Sequence, residues 1–304
     1  MDATQAAPAP QLRPLGVGDI VDRVFALYRA QPVLFLALAT VPYLLLVLVI
    51  VGLGLAFATS FLGFISVLNQ AADGRQPDVS TLAAGLATFV VFVLAVVIVA
   101  IVVLSAQSAA LIAAFSHQYL GRQTTIGQAF REGLAAAPSI IGASLLLFVL
   151  LVALWIVLAI VMAVAQQVLV VIAAIVGGVV ATIYIAASAL VAPVVVTVEH
   201  VGPAQALRRS WTLSDGHRWR ILGLQLLLGL LNGVISVLLS TIFVTTLVSD
   251  PTTRAIATQV VNVIANIAWT PVQWGTFAIL YYDLRVRREA FDLQLAAEAL
   301  PRQP

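Results

Sequence analysis

Three histidines, thirteen carboxylates and fifteen arginines are the side chains of this 304-residue chain that could move a proton, hold a metal or bind an anion. The histidines are His117, His200 and His217, and none stands in an HExxH array or at a comparable metal-ligand spacing. His200 follows Glu199, but adjacent residues do not share a helix face, so the two read as separate side chains. His217 lies in Asp215-Gly216-His217-Arg218-Trp219-Arg220, a run that suits either a phosphate or headgroup contact or a solvated turn ahead of a helix. Ser105 and Ser108 have no base in their sequence context, and the chain carries no GxSxG, Walker A or GxGxxG phosphate loop in strand context. With no cysteine, thiolate catalysis, disulfides and Cys-type metal sites are excluded. The expectation is a protein that is not an enzyme, with no catalytic residue, no cofactor and no metal.

Two other residue sets could recognise something. The first is polar but uncharged: Asn232, and the stripe Gln259, Asn262, Asn266, Thr270 and Gln273, in which Asn262 and Asn266 stand four apart. In an apolar helix such groups need partners, so the stripe should face other helices and either bond across them or line a polar path. Pro271, which frees the carbonyl of Ile267, could kink the same helix. The second set is basic: Arg208, Arg209, Arg218 and Arg220, followed by Arg285, Arg287 and Arg288, are candidates for contact with anionic headgroups or a protein partner.

The elements that must carry these residues follow from composition. Hydrophobic residues make up 62% of the chain and charged residues 9%. An average soluble domain carries roughly 25% charge, so this surface must face lipid. A crossing needs about 20 apolar residues, and helices satisfy their own backbone in lipid where open sheets cannot. Uncharged runs place spans at about 33–56, 84–110, 140–164, 168–196, 221–246 and 256–281 within a single membrane domain, 13–295. Residues 1–12 and 296–304 read as tails, the first disordered and without the basic start of a signal peptide. Thirteen arginines fall on one side of these spans, against Arg75 and Arg254 on the other. The positive-inside rule then puts both termini in the cytoplasm. Arginine in place of every lysine, with abundant Ala, Val and Leu, suggests a GC-rich bacterial genome and hence a bacterial inner (plasma) membrane.

Each cytoplasmic segment also carries an amphipathic helix ahead of a span. Ile20, Val21, Val24, Phe25 and Tyr28 share one face. Ile126, Ala129, Phe130, Gly133, Leu134 and Ala137 share another, opened by a capping box of Thr125 and Gln128. Gly202 and Pro203 open the third, with Ala204, Leu207 and Trp211 on its face. Gln128-Ala129-Phe130-Arg131 against Gln205-Ala206-Leu207-Arg208 suggests a threefold repeat of one surface helix plus two spans. Trp211, Trp219, Trp274, Tyr281 and Tyr282 sit where an aromatic belt would. Gly229 and Gly233 form a small-xxx-small pair.

Three stretches together carry a resemblance: Leu12-Arg13-Pro14-Leu15-Gly16-Val17-Gly18-Asp19-Ile20, then Ala206-Leu207-Arg208-Arg209-Ser210-Trp211 with Trp219-Arg220-Ile221-Leu222-Gly223, and Tyr281-Tyr282-Asp283-Leu284-Arg285-Val286-Arg287-Arg288-Glu289 onward to Leu293. The chain resembles bacterial proteins described as glycerophosphoryl diester phosphodiesterase membrane domain-like, from about 12 to 295. That resemblance implies a six-helix membrane module. In some relatives the module is joined to a soluble phosphodiesterase barrel, whose His, Glu and metal-binding acids have no room here, so the activity is not expected to transfer. The expected function is a non-enzymatic scaffold or accessory module in lipid or envelope metabolism. The alternative is a transporter or channel for a small or lipidic solute. Expected partners are membrane lipids, anionic ones included, and a membrane or cytoplasmic protein; nucleic acid is not expected.

Overall fold

The structure, a computed structural model, describes residues 13–74, 79–165, 167–245 and 248–294. The expected tails at 1–12 and 296–304 lie outside them. The described residues form helices and no strand: α1 (Val17–Ala30), α2 (Pro32–Ala56), α3 (Ala58–Ala72), α4 (Val79–Tyr119), α5 (Ile126–Val164), α6 (Val168–Ala189), α7 (Ala192–Glu199), α8 (Pro203–Ser214), α9 (Arg218–Ser240) and α10 (Pro251–Glu289). Six helical stretches are long and apolar enough to cross a membrane: α2, α4, α5, α6 with α7, α9 and α10. The protein is therefore an all-α, multi-pass membrane protein.

Local chemistry explains most boundaries. Thr125 and Gln128 make the expected capping box, with Gln128 N donating to Thr125 Oγ1 at 3.3 Å and Thr125 N donating to Gln128 Oε1 at 3.1 Å. Asp250 caps α10 by accepting from Thr253 N at 2.7 Å, and Pro251 takes the first helical position. Pro193 sits in the first turn of α7, where its missing N–H costs no helical bond. Pro138 does not end a helix. The second amphipathic segment runs through it into its span as one helix, α5, because Ala129, Gly133, Ala136, Ala137, Ile140 and Ala143 form one continuous buried stripe on both sides of it. The first and third amphipathic segments stand as separate helices, α1 and α8. Helix α3 was not foreseen as an element of its own; it occupies part of the uncharged run after α2.

By its contacts the chain divides into two compact units, with boundaries inside α2 and α4. The unit formed by Thr40–Ser105 is held by aromatic edges: Phe61 meets Phe92 at 5.1 Å between ring centroids and Phe89 at 6.3 Å, and Phe57 meets Phe92 at 6.1 Å. The other unit contains the remaining helices and a core that includes Phe35, Leu111, Phe115, Leu213, Ile221, Leu224, Tyr281 and Tyr282. Small residues set its closest approaches. A Cβ on Gly133 would stand 2.5 Å from Ala106 O, and one on Gly275 would stand 2.6 Å from Phe115. Gly229 and Gly233, by contrast, have nothing within 4 Å of where a Cβ would be. Burial is concentrated in particular stretches: α10 is almost wholly buried from Pro271 to Leu284 and mostly exposed before Ala265.

Candidate functional site: the arginine-rich end

Helix α1, the C-terminal turns of α4 and α10, the N-terminal turns of α5 and α9, and α7 with α8 bring most arginines and carboxylates of the larger unit together. Glu199, Asp283 and Glu289 stand on helices and are bonded. Asp283, fully buried in α10, accepts from the N–H of Leu15 at 2.7 Å, from Arg220, and from Arg287 at 3.0 Å. Arg220 and Arg287 also donate to the carbonyl of Leu15, the latter at 2.8 Å. One carboxylate and two guanidinium groups thus clamp both backbone groups of the residue that leads into α1.

A second network closes on itself. Arg209 of α8 reaches Glu199 at the end of α7 at 3.1 Å, and also Glu289 of α10. Arg285 meets Glu289 at 3.1 Å, while the Tyr281 hydroxyl donates to Glu199 at 2.7 Å. The hydrogen bond to Glu289, foremost, and that to Glu199 hold Arg209 charged even more firmly than a free arginine, against the opposing effect of burial. Arg285 also lies over the Phe291 ring, 3.9 Å from its centroid.

The third network lines a groove. Arg218 donates to Ser188 Oγ at 2.7 Å and to Asp215 at 2.9 Å, and it packs 4.4 Å from the Tyr184 centroid and 5.3 Å from that of Trp211. Arg288 shares Asp215 at 3.3 Å. These guanidinium groups, Arg218 first, hold the Asp215 carboxyl below the usual carboxylate range. Cations at a helix N-terminus oppose the helix dipole, and Asp215 and Asp283 offset that cost for Arg218 and Arg220 at the start of α9. Between α6 and α9 the groove encloses about 520 Å³, walled by Val180, Ile183, Leu222 and Trp219, with Arg218 and the Asp215-Gly216 turn also lining it.

The seven candidate arginines therefore divide. Arg209, Arg220, Arg285 and Arg287 are engaged in the two inner networks; Arg218 faces the groove; Arg288 is exposed and bonded to Asp215. Arg208 is exposed, and among the described residues its guanidinium has no partner. The aromatic set divides too. Trp219 is 87% exposed, as a belt residue would be, whereas Tyr281 and Tyr282 are core.

The polar stripe of α10 largely bonds to its own helix. Asn266 donates to the carbonyl of Asn262 at 2.8 Å and Thr270 to that of Asn266 at 2.7 Å, while Gln259 is exposed. Gln273 instead joins Gln225 and Ser144 in a mostly apolar cavity of about 290 Å³ bounded by Leu147, Pro193 and Phe277. Gln225 Oε1 and, two turns along α9, Asn232 Oδ1 are buried without a protein partner.

One constellation was missed. His117 near the end of α4 meets both carboxylate oxygens of Glu132 in α5, at 3.0 and 3.1 Å across the Gly121 turn. The signal was present: a short connection between two helices returns the last turn of one beside the first turns of the next. Comparison of the chain with known protein families, with curated proteins and with solved structures yields no match.

Proposed function

We propose that this protein is a non-enzymatic module of a bacterial plasma membrane, with both termini cytoplasmic, that holds an anionic phospholipid in the α6–α9 groove. In this reading it serves as a scaffold or accessory component in lipid or envelope metabolism. The observation that carries the reading is the groove's composition. Its wall is apolar, and in its polar part Arg218 pairs with Asp215, which also accepts from Arg288 outside the lining, so that two guanidinium groups share one carboxylate beside the groove. Arg218 is stacked on aromatic rings, so little side-chain freedom is lost when it binds. The resemblance to phosphodiesterase-linked membrane modules agrees with a lipid role and stands with this proposal.

Native mass spectrometry of protein released from nanodiscs tests it. With phosphatidylglycerol and phosphatidylcholine supplied in equal amounts, the protein should retain the anionic lipid preferentially. Leu222→Trp, which fills the groove, should reduce retention of both, and Arg218→Gln should abolish the preference. Equal retention of the two lipids by the unaltered protein would remove the headgroup role.

A second reading, a carrier for a small polar or lipidic solute, is favoured by the cavity at Gln225 and Gln273 and by its unpartnered amide oxygen. Solute flux in reconstituted vesicles that disappears in Gln225→Leu would promote it over the first.

A further inference from the structure

A smaller cavity of about 140 Å³ opens where α4, α5, α7 and α10 converge, apart from the groove and sharing none of its lining residues. Its polar lining comes from five segments. Ser116 and His117 come from the last turns of α4, Arg122 from the α4–α5 turn, Glu132 from α5, His200 from the end of α7, and Tyr282 from α10. The turn is fixed by Gly121, at φ +74°, and by Arg122 N donating to the carbonyl of His117 at 2.8 Å.

Three features say that something is received here. Ser116 lines the cavity, its residue is 6% exposed, and its buried hydroxyl oxygen completes no hydrogen bond among the described residues. A buried hydroxyl without a partner costs about 1–3 kcal/mol, which an occupant would recover. Arg122 lines the cavity, is exposed, and has no ion-pair partner among the described residues. His200 holds a left-handed backbone, φ 53° and ψ 38°, in a position where glycine would be cheaper and would present no imidazole.

The lining also says what kind of occupant fits. Glu132 turns both oxygens to His117, so its charge is directed at the imidazole. Arg122, His200, Ser116 and Tyr282 are left as donors. No group of three His, Asp or Glu side chains among the described residues is placed to hold a metal ion. A volume of about 140 Å³ admits a small tetrahedral oxyanion. We propose that the cavity formed by Ser116, His117, Arg122, Glu132, His200 and Tyr282 binds one phosphate group, either as free phosphate or as a lipid phosphomonoester, with Arg122 as its anchor.

The test uses the full chain. Inorganic phosphate is titrated calorimetrically into detergent-solubilised protein. In parallel, retention of phosphatidic acid against phosphatidylcholine is measured in nanodiscs with the Arg218→Gln variant, whose groove has lost its preference for anionic lipid. Saturable phosphate binding without preference for phosphatidic acid identifies the free ion; preference for phosphatidic acid identifies the monoester headgroup; absence of both overturns the proposal. Arg122→Gln should weaken whichever binding is found by about tenfold or more. His200→Gly relieves the left-handed backbone, so it should leave thermal stability equal or higher while binding falls, which separates loss of the site from loss of the fold. Binding that survives both substitutions also overturns the proposal. Arg218→Gln should leave phosphate binding unchanged and Arg122→Gln should leave phosphatidylglycerol retention unchanged, so the two sites fail independently.

Discussion

Replacing Asp283 by Asn should destabilise the protein more than any other single charge removal at the arginine-rich end. The substitution preserves shape but removes the negative charge that Arg220 and Arg287 share, the two side chains being 19% and 30% exposed. It also sets an NH2 group against their donors. Removing one partner from a fully buried pair costs about 3–5 kcal/mol. The pair with Arg287 is an i, i+4 contact with a partly exposed partner, worth about 0.3–0.5 kcal/mol. The greater part of the loss must then come from Arg220 and from the Leu15 N–H, and about 3 kcal/mol is expected for Asp283→Asn.

Detergent-solubilised protein titrated with SDS and followed by tryptophan fluorescence gives the global number. Hydrogen exchange at the Leu15 amide gives the local one, because that N–H loses its acceptor. Arg287→Gln should cost less than about 1 kcal/mol. The double variant Asp283→Asn with Arg220→Gln should be less destabilised than the sum of the two singles, since each single variant leaves the other group buried and unpaired. If Asp283→Asn unfolds within about 0.5 kcal/mol of the unaltered protein, or if the two singles simply add, the clamp on α1 does not operate as described.

Two further outcomes follow from the packing and the charges. Gly133→Ala should destabilise by about 1–3 kcal/mol, because its Cβ would press on the backbone of α4 at Ala106 and Ala110, which cannot swing away as a side chain can. Gly127→Ala, on the same helix with nothing within 4 Å, should be neutral or stabilising when both are compared by SDS titration. The Asp215 carboxyl is held below its ordinary range, so its contribution is present above the unfolded-state pKa of about 4 and is lost as pH falls through the folded value. Unfolding followed across that acid range should show a shallower loss in Asp215→Asn than in the unaltered protein.

The spans were legible because their signal is additive: every residue of a crossing votes for lipid, and few substitutions could hide it. Capping was legible at Thr125 and Gln128 because the motif is local. The ion pairs were half legible. Asp283 with Arg287, and Arg285 with Glu289, stand at i, i+4 in one helix and could have been paired on spacing alone. Their other partners, Arg220 and Arg209, come from residues 63 and 80 positions away, a distance no local rule spans. Reading all seven arginines as outward contacts followed from seeing charge without its partners. The division of the chain into two units was not legible at all, because α2 and α4 are uninterrupted apolar helices across both boundaries.

The placement of the polar networks follows from what a bilayer withholds. Lipid tails are as apolar as Leu or Val, so burying those side chains against one another brings no hydrophobic gain inside the hydrocarbon. Long stretches of α5 and α10 accordingly expose them, from Leu145 to Val164 and across Ile256, Val260 and Ile264. Association of the helices must be secured by close packing at small residues and by bonds that lipid cannot replace. Both coincide in the larger unit. Gly133 and Gly275 bring α4, α5 and α10 together, and the carboxylates of Glu199, Asp283 and Glu289 then tie α1, α7, α8, α9 and α10 beside that contact. Arginines spent on this fastening are not available to a ligand. Arg122, Arg208 and Arg218 are placed otherwise, the first lining a cavity, the second exposed and the third lining a groove while paired with Asp215. On the proposed reading, an anionic ligand meets positions such as these rather than the arginines held in the fastening.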